Sequence, residues 1–119
     1  MKRQAELRWR AEKYRVMFHS QRHYNLIRVA MKEQQSAETI DALINEAIAE
    51  TPTNGSMRNA CQHMWGYFKK TATDDERARY NDYVRNDDYR GLCRYLYALA
   101  EKYNVTYLQN STILQGDYT

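Results

Sequence analysis

The residues in this chain whose types could do chemistry are three histidines, two cysteines and a run of amides and lysines around residue 60. In the stretch Asn59-Ala60-Cys61-Gln62-His63-Met64-Trp65-Gly66-Tyr67-Phe68-Lys69-Lys70, amides, an imidazole and ammonium groups share one side at helical spacing. Amides and imidazole donate and accept hydrogen bonds, and ammonium groups hold anions, so this side could meet a base, a sugar or a phosphate. An ordinary solvated helix face has the same composition. As an enzyme, the chain would use His63 or His19 for general acid–base work. Nothing marks a dedicated carboxylate partner or a nucleophile, and no Gly-rich phosphate loop, nucleophile elbow or metalloprotease motif is present. His19 and His23 have the spacing of metal ligands on one continuous helix, but Ser20 between them reads as a helix cap that breaks that geometry. No Cys or carboxylate cluster completes a site, so we expect no metal and no cofactor. Cys61 and Cys93 form neither a Cys-x-x-Cys motif nor a disulfide framework, and read as reduced core thiols.

The elements that must position these residues are helical. At 119 residues the chain is long enough for one core, and we expect a single helical domain over 1–119. No apolar run approaches the roughly 20 residues that span a bilayer. Met-Lys-Arg-Gln-Ala-Glu at the start has no apolar stretch behind its charges, so no secretion signal and a cytoplasmic location are expected. Charge is distributed unevenly. Residues 1–32 hold nine Lys or Arg against Glu6 and Glu12, whereas residues 33–50 hold five acids and no base. That asymmetry points to an anionic partner for the basic part.

A first helix is expected over residues 3–18, with Leu7, Ala11, Tyr14 and Phe18 facing inward and Arg3, Arg10 and Lys13 on another face. Arg8 and Arg15 flank that face, and Trp9 joins it. Ser20 caps a second helix from about Gln21 to Gln34, and Ser36 a third from about Ala37 to Glu50. Thr51-Pro52-Thr53-Asn54-Gly55 breaks the chain, with Asn54-Gly55 read as a turn and Ser56 as the cap of the fourth helix. Met57, Cys61, Met64, Trp65 and Phe68 form its apolar stripe. Gly66 inside that helix would cost about 1 kcal/mol relative to Ala, which suggests a close approach there. Thr73-Asp74-Asp75-Glu76 is a capping box opening a fifth helix to about Arg85. Asn86-Asp87-Asp88 opens a sixth, which Gly91 is expected to kink or divide. Val105-Thr106-Tyr107-Leu108 looks extended, and the residues through Thr119 look like a tail laid over the body. The fold class is all-α: a compact bundle of about six helices with a short irregular C-terminal tail.

Several of these residues carry a family resemblance. Lys13 with His19-Ser20 and Tyr24, then Pro52-Thr53-x-Gly55, then Asn59-x-x-Gln62-His63-x-x-Gly66-Tyr67-Phe68-Lys69, resemble the YbgA-like domains of unknown function. Asp75-Glu76, Tyr89-Arg90-Gly91 and Tyr107-Leu108 fit the later part of that pattern. The tail departs from it, because the family usually ends in Tyr-Leu-x-x-Gln with a Pro-containing finish, and here Asn110-Ser111 follows with no Pro after Pro52. Members of the family also occur fused to a desulfidase-like domain carrying an iron–sulfur cluster. The resemblance implies a tRNA-binding module that presents thiolated uridine to that catalytic partner. With only Cys61 and Cys93, this chain lacks the cysteines for a three-cysteine cluster, so by that resemblance it would work alone or with a separate desulfidase protein.

The reading of the residues and the resemblance converge on structured RNA, most specifically tRNA. Basic residues interleaved with Tyr and Trp suit it, since stacking on an unpaired base is worth about 1–3 kcal/mol and Arg and Lys supply the phosphate contacts. Arg3, Arg10, Lys13, Arg58, Lys69 and Lys70 are expected to hold phosphates. Asn59, Gln62, His63 and Tyr67 would meet a base or sugar, Gly66 would allow close approach, and His19 and Tyr24 would border the site. The alternatives are a small-substrate enzyme using His63 or His19, and a protein–protein adaptor docking through the helix that carries Gly66.

Overall fold

A computed structural model describes the backbone of residues 2–116 and the side chains of residues 3–116; Asp117, Tyr118 and Thr119, the end of the expected tail, lie outside the described residues. The first helix is α1 (Lys2–His19). Its buried residues include Ala5, Tyr14, Val16, Met17 and Phe18, so its apolar side widens toward the C-terminal end. Against it pack α2 (Gln21–Lys32), α3 (Ala37–Ala49), α4 (Asn54–Trp65) and a 3₁₀ turn (Thr112–Gln115). Burying each large aliphatic or aromatic side chain at such contacts contributes about 1.5–3 kcal/mol.

The helix α5 (Asp74–Arg85) leads to α6 (Tyr89–Lys102), followed by the single-turn helix α7 (Thr106–Gln109). A buried stripe of Tyr89, Leu92, Leu96, Leu99 and Ala100 lets α6 pack against α4, α5, α7 and the 3₁₀ turn. One connected apolar core therefore runs from α1 to the 3₁₀ turn. The fold is all-α, and among the described residues there is no strand.

Local chemistry sets the helix boundaries. The Ser20 hydroxyl oxygen accepts from the His23 amide, and the extended backbone of Ser20 (φ −159°, ψ 110°) separates α1 from α2. Glu76 and Thr73 form the expected reciprocal capping box of α5.

Five local expectations change. Leu7, expected to face inward on α1, is 48% exposed, because the apolar side of α1 narrows toward its N-terminal end. Asn54-Gly55 is not a turn ahead of α4 but its first two residues. Thr53 is the cap, and Ser56, the third residue of the helix, closes a Thr-x-x-Ser capping box; its hydroxyl also donates to the Phe18 carbonyl at 2.8 Å. Gly66 is the C-cap of α4, where the helix loosens into turns, rather than an interior residue; an added Cβ would meet only nearby α4 carbonyl groups within 4 Å. Gly91 neither kinks nor divides α6. It lies beside the cap residue Asp88, whose carboxylate accepts the Gly91 amide at 3.0 Å. Residues 106–109 form a helical turn instead of an extended segment, because Val105 accepts the Gln109 amide. The chain beyond it folds back on α1, where the Thr112 hydroxyl meets the buried Glu12 carboxylate.

Candidate functional site

The junction of α1 and α2, the end of α3 and the first three turns of α4 enclose a wide, open cleft of about 710 Å³. Each wall follows from a helix boundary. Ser20 ends one helix and starts another, which places His19, Gln21 and Arg22 on one side. The Thr53 cap starts α4 opposite, with Gly55, Ser56, Asn59 and His63 along it.

His19 is 5% exposed, and its Nδ1 lies 2.7 Å from the Glu50 carbonyl oxygen. A carbonyl only accepts, so Nδ1 carries the hydrogen and, in the neutral ring, Nε2 is a bare acceptor. That Nε2 is buried without a hydrogen-bond partner among the described residues. The Asn59 amide donates to the Gln21 side-chain carbonyl and bridges α4 to α2. His63, one turn further along α4, is exposed on the cleft wall.

Beneath the rim, His23 is 2% exposed, with Nδ1 at 2.8 Å from the Ser20 hydroxyl and Nε2 at 3.6 Å from the Glu46 carboxylate. The contact with Glu46 joins α2 to α3. His19 and His23 belong to different helices and have separate partners. Among the described residues, no three His, Cys, Asp or Glu converge on a common point.

A second group of candidates forms an aromatic strip. The Tyr14 and Tyr67 hydroxyls are 3.1 Å apart. Tyr67 stacks on Tyr107 with ring centres 6.1 Å apart and planes at 18°, and Tyr14 meets both rings edge-on. The Arg10 guanidinium lies 5.9 Å from the Tyr107 ring centre, and the Lys13 ammonium 5.7 Å from that of Tyr14. Tyr24 packs on Trp9, with the Arg28 guanidinium over its ring. Burial raises the Tyr14 phenol well above its ordinary range, aided by its hydrogen bond to Tyr67 and the nearby Tyr107 and Tyr24. Burial likewise raises Tyr107, opposed by Arg10. Both phenols therefore remain neutral near pH 7, where they donate as well as accept. Arg3 and Arg10 line a hollow beside this strip, and Arg10, Tyr107 and Asn110 line another of about 400 Å³.

The structure thus gathers His19, Asn59 and His63 in the cleft and Arg10, Lys13, Tyr24 and Tyr67 along the strip, with Arg3 at its far end. Tyr67 follows His63 by four residues, so the end of α4 is what the two regions share. Gln62, Gly66, Lys69 and Lys70 are exposed on or just after α4. Arg58 is directed elsewhere. Its Nε donates to the Tyr89 hydroxyl at 3.0 Å and its Nη2 lies 3.6 Å from Asp87, an arrangement that ties α4 to the start of α6. Arg8 is held by Asp41 and Asn45 on α3, each at 2.8 Å, so part of the basic face of α1 is already paired.

Sequence reasoning did not select Gln21, Arg22, Tyr14 or Tyr107 for the site. The Ser20 cap signalled where the α2 N-terminus would be, but not that it would face the start of α4. A smaller hollow of about 310 Å³, lined by Ala5, Met31 and residues 34–38, is mostly apolar and includes none of the candidate residues.

No described helix is long and apolar enough to cross a membrane. Neither the curated proteins nor the solved structures include a match to this chain. A family model described as a protein of unknown function, DUF1722, matches residues 13–116, which takes in the cleft, Lys13, Tyr24 and Tyr67 but leaves out Arg3 and Arg10. The chain therefore belongs to the DUF1722 family, an assignment with which the YbgA-like resemblance of its motifs agrees.

Proposed function

We propose that this protein is a cytoplasmic RNA-binding module, with tRNA as its most specific ligand, and that it serves thiouridine desulfuration together with a separate iron–sulfur desulfidase. The observation that carries the RNA reading is the continuity between two kinds of contact at the end of α4. His63 lines an open cleft, and Tyr67, one turn on, is 43% exposed and stacked on Tyr107. A partly exposed ring pair offers a π-face to an unpaired base, and Arg10, Lys13, Lys69 and Lys70 supply cations for phosphates. Asn59 and His63 supply hydrogen bonds to a base edge or sugar. The tRNA and thiouridine parts rest on the YbgA-like resemblance.

The test is binding of the purified protein to bulk tRNA, single-stranded RNA and duplex DNA across a salt series. Tight tRNA binding that weakens steeply with salt, with little duplex DNA binding, supports the reading. Absence of binding to all three at low salt overturns it.

A small-substrate enzyme using His63 and His19 is the second reading, favoured by their presence on one cleft. The openness of that cleft argues against it, because small-molecule sites usually bury most of their ligand. An enzyme of that kind would be indifferent to salt.

A further inference from the structure

We infer that the cleft contains a dedicated phosphate site built from two helix N-termini. Both α2 and α4 begin on its walls. The first four amides of a helix have no partner within it. In α2 the third is taken by the Ser20 hydroxyl and the fourth by the Ser20 carbonyl; in α4 Thr53 does the same for Ser56 and Met57. That leaves the amides of Gln21, Arg22, Asn54 and Gly55 without an acceptor among the described residues. Each helix start also carries roughly half a positive charge from its macrodipole. Two starts on one cleft make an anion site stronger than either alone.

An independent observation points to an occupant. His19 lines the same cleft, is 5% exposed, and its buried Nε2 has no hydrogen-bond partner among the described residues. An unmet acceptor on a residue of the same cleft as unmet amide donors suits a ligand carrying both anionic oxygens and a hydrogen-bond donor. A phosphate with a P–OH, or a phosphodiester next to a ribose hydroxyl, has both. Arg22 is exposed on the wall and adds a cation, and Gly55 keeps the approach to the α4 amides free of a side chain. Glu50 also lines the cleft, but its carbonyl is already held by His19, and its exposed side chain can remain in solvent.

This inference deepens the RNA reading by naming the group that the cleft holds, and it rests on that reading for the macromolecule but not for the phosphate. The test follows backbone amide shifts in ¹⁵N-labelled protein at constant ionic strength. One arm adds inorganic phosphate, one the diribonucleotide UpU and one intact tRNA. Saturable movement of the Gln21, Arg22, Asn54 and Gly55 amides is expected, weakened at least about fivefold by Arg22→Ala. Movement with inorganic phosphate alone assigns a free or terminal phosphate; movement with UpU assigns an internal phosphodiester. Either supports the site. If neither small probe moves these four amides while tRNA shifts the Arg10, Tyr67 and Tyr107 region, the phosphate site is overturned and RNA binding stands. If phosphate binds there but tRNA does not bind at all, the site stands and the RNA reading falls.

Discussion

The Nδ1–H of His19 donates to the carbonyl oxygen of Glu50 over 2.7 Å, so the last residue of α1 holds the end of α3 against it. This contact orients the imidazole and fixes one rim of the cleft in the same stroke. His19→Ala leaves the Glu50 carbonyl short of its donor and opens a void next to Phe18. A loss of about 1–3 kcal/mol is expected, read by chemical denaturation. His63→Ala, on an exposed side chain, should leave stability within about 0.5 kcal/mol. Equal losses in the two variants would contradict the separation of a structural from a contacting histidine.

Glu76 gives a pH signature. Its carboxylate accepts from Lys102, Tyr103 and the Thr73 amide, and these bonds lower its pKa from 4.5 to about 2. A carboxyl whose folded pKa is depressed contributes stability that is present above about pH 4.5 and lost as pH falls toward about 2. Solvent screens the Lys102 pair, so the contribution is at most about 1 kcal/mol. Denaturation of the parent and of Glu76→Gln should therefore differ most near neutral pH and converge near pH 2. A gap that stays constant across this range would contradict the assignment.

What the sequence made legible was local. Ser20, Ser36 and Thr73 cap helices where their spacing to the following apolar stripe indicated, and Cys61, Met64, Trp65 and Phe68 are buried as their periodicity required. Less legible was everything set by contact between distant helices. Asn54-Gly55 resembles a turn, yet Thr53 and Ser56 cap each other and Ser56 reaches Phe18, so helix formation prevails over turn propensity. Arg58 resembles a phosphate ligand until Tyr89 and Asp87, far along the chain, are brought beside it. Tyr14 reads as a core residue and Tyr107 as part of an extended segment, and their half-hidden role in supporting Tyr67 appears only when α1, α4 and α7 meet.

Gly91 offers a prediction of opposite signs. An added Cβ would lie 2.3 Å from the Asp88 carboxylate oxygen, forcing the cap off the Gly91 amide. Loss of a cap costs about 0.5–2 kcal/mol, against a helix-propensity gain of up to about 1 kcal/mol for Ala over Gly. Gly91→Ala alone should be neutral to destabilising. In an Asp88→Ala background, where no carboxylate is displaced, the same change should stabilise. A thermal melt of the four proteins completes the cycle, and additivity would show that Asp88 is not what Gly91 accommodates.

Lys69 and Lys70 are exposed in the turns after α4 and have no ion-pair partner among the described residues. Replacing both by Ala should leave the melting temperature unchanged. If each meets a phosphate, the slope of log affinity against log salt falls by about 2, and tRNA affinity falls with it. An unchanged slope removes them from the interface.

Tyr67 separates stacking from charge. It is 43% exposed, so truncation creates little void, but it loses the stack on Tyr107 and the hydroxyl contact with Tyr14. Tyr67→Phe should cost stability by about 0.5–1.5 kcal/mol through the lost hydrogen bond, while preserving the ring face. Tyr67→Ala should weaken RNA binding by about 1–3 kcal/mol, roughly five- to 150-fold, and leave the salt slope as it was, because a ring displaces no counterions. The two Tyr67 variants, set beside the Lys69/Lys70 double variant, should thus move different observables: affinity at constant slope in one case, affinity and slope together in the other. If Tyr67→Ala binds RNA as the parent does, the exposed ring pair is packing for α7, and the RNA surface lies with the cleft alone.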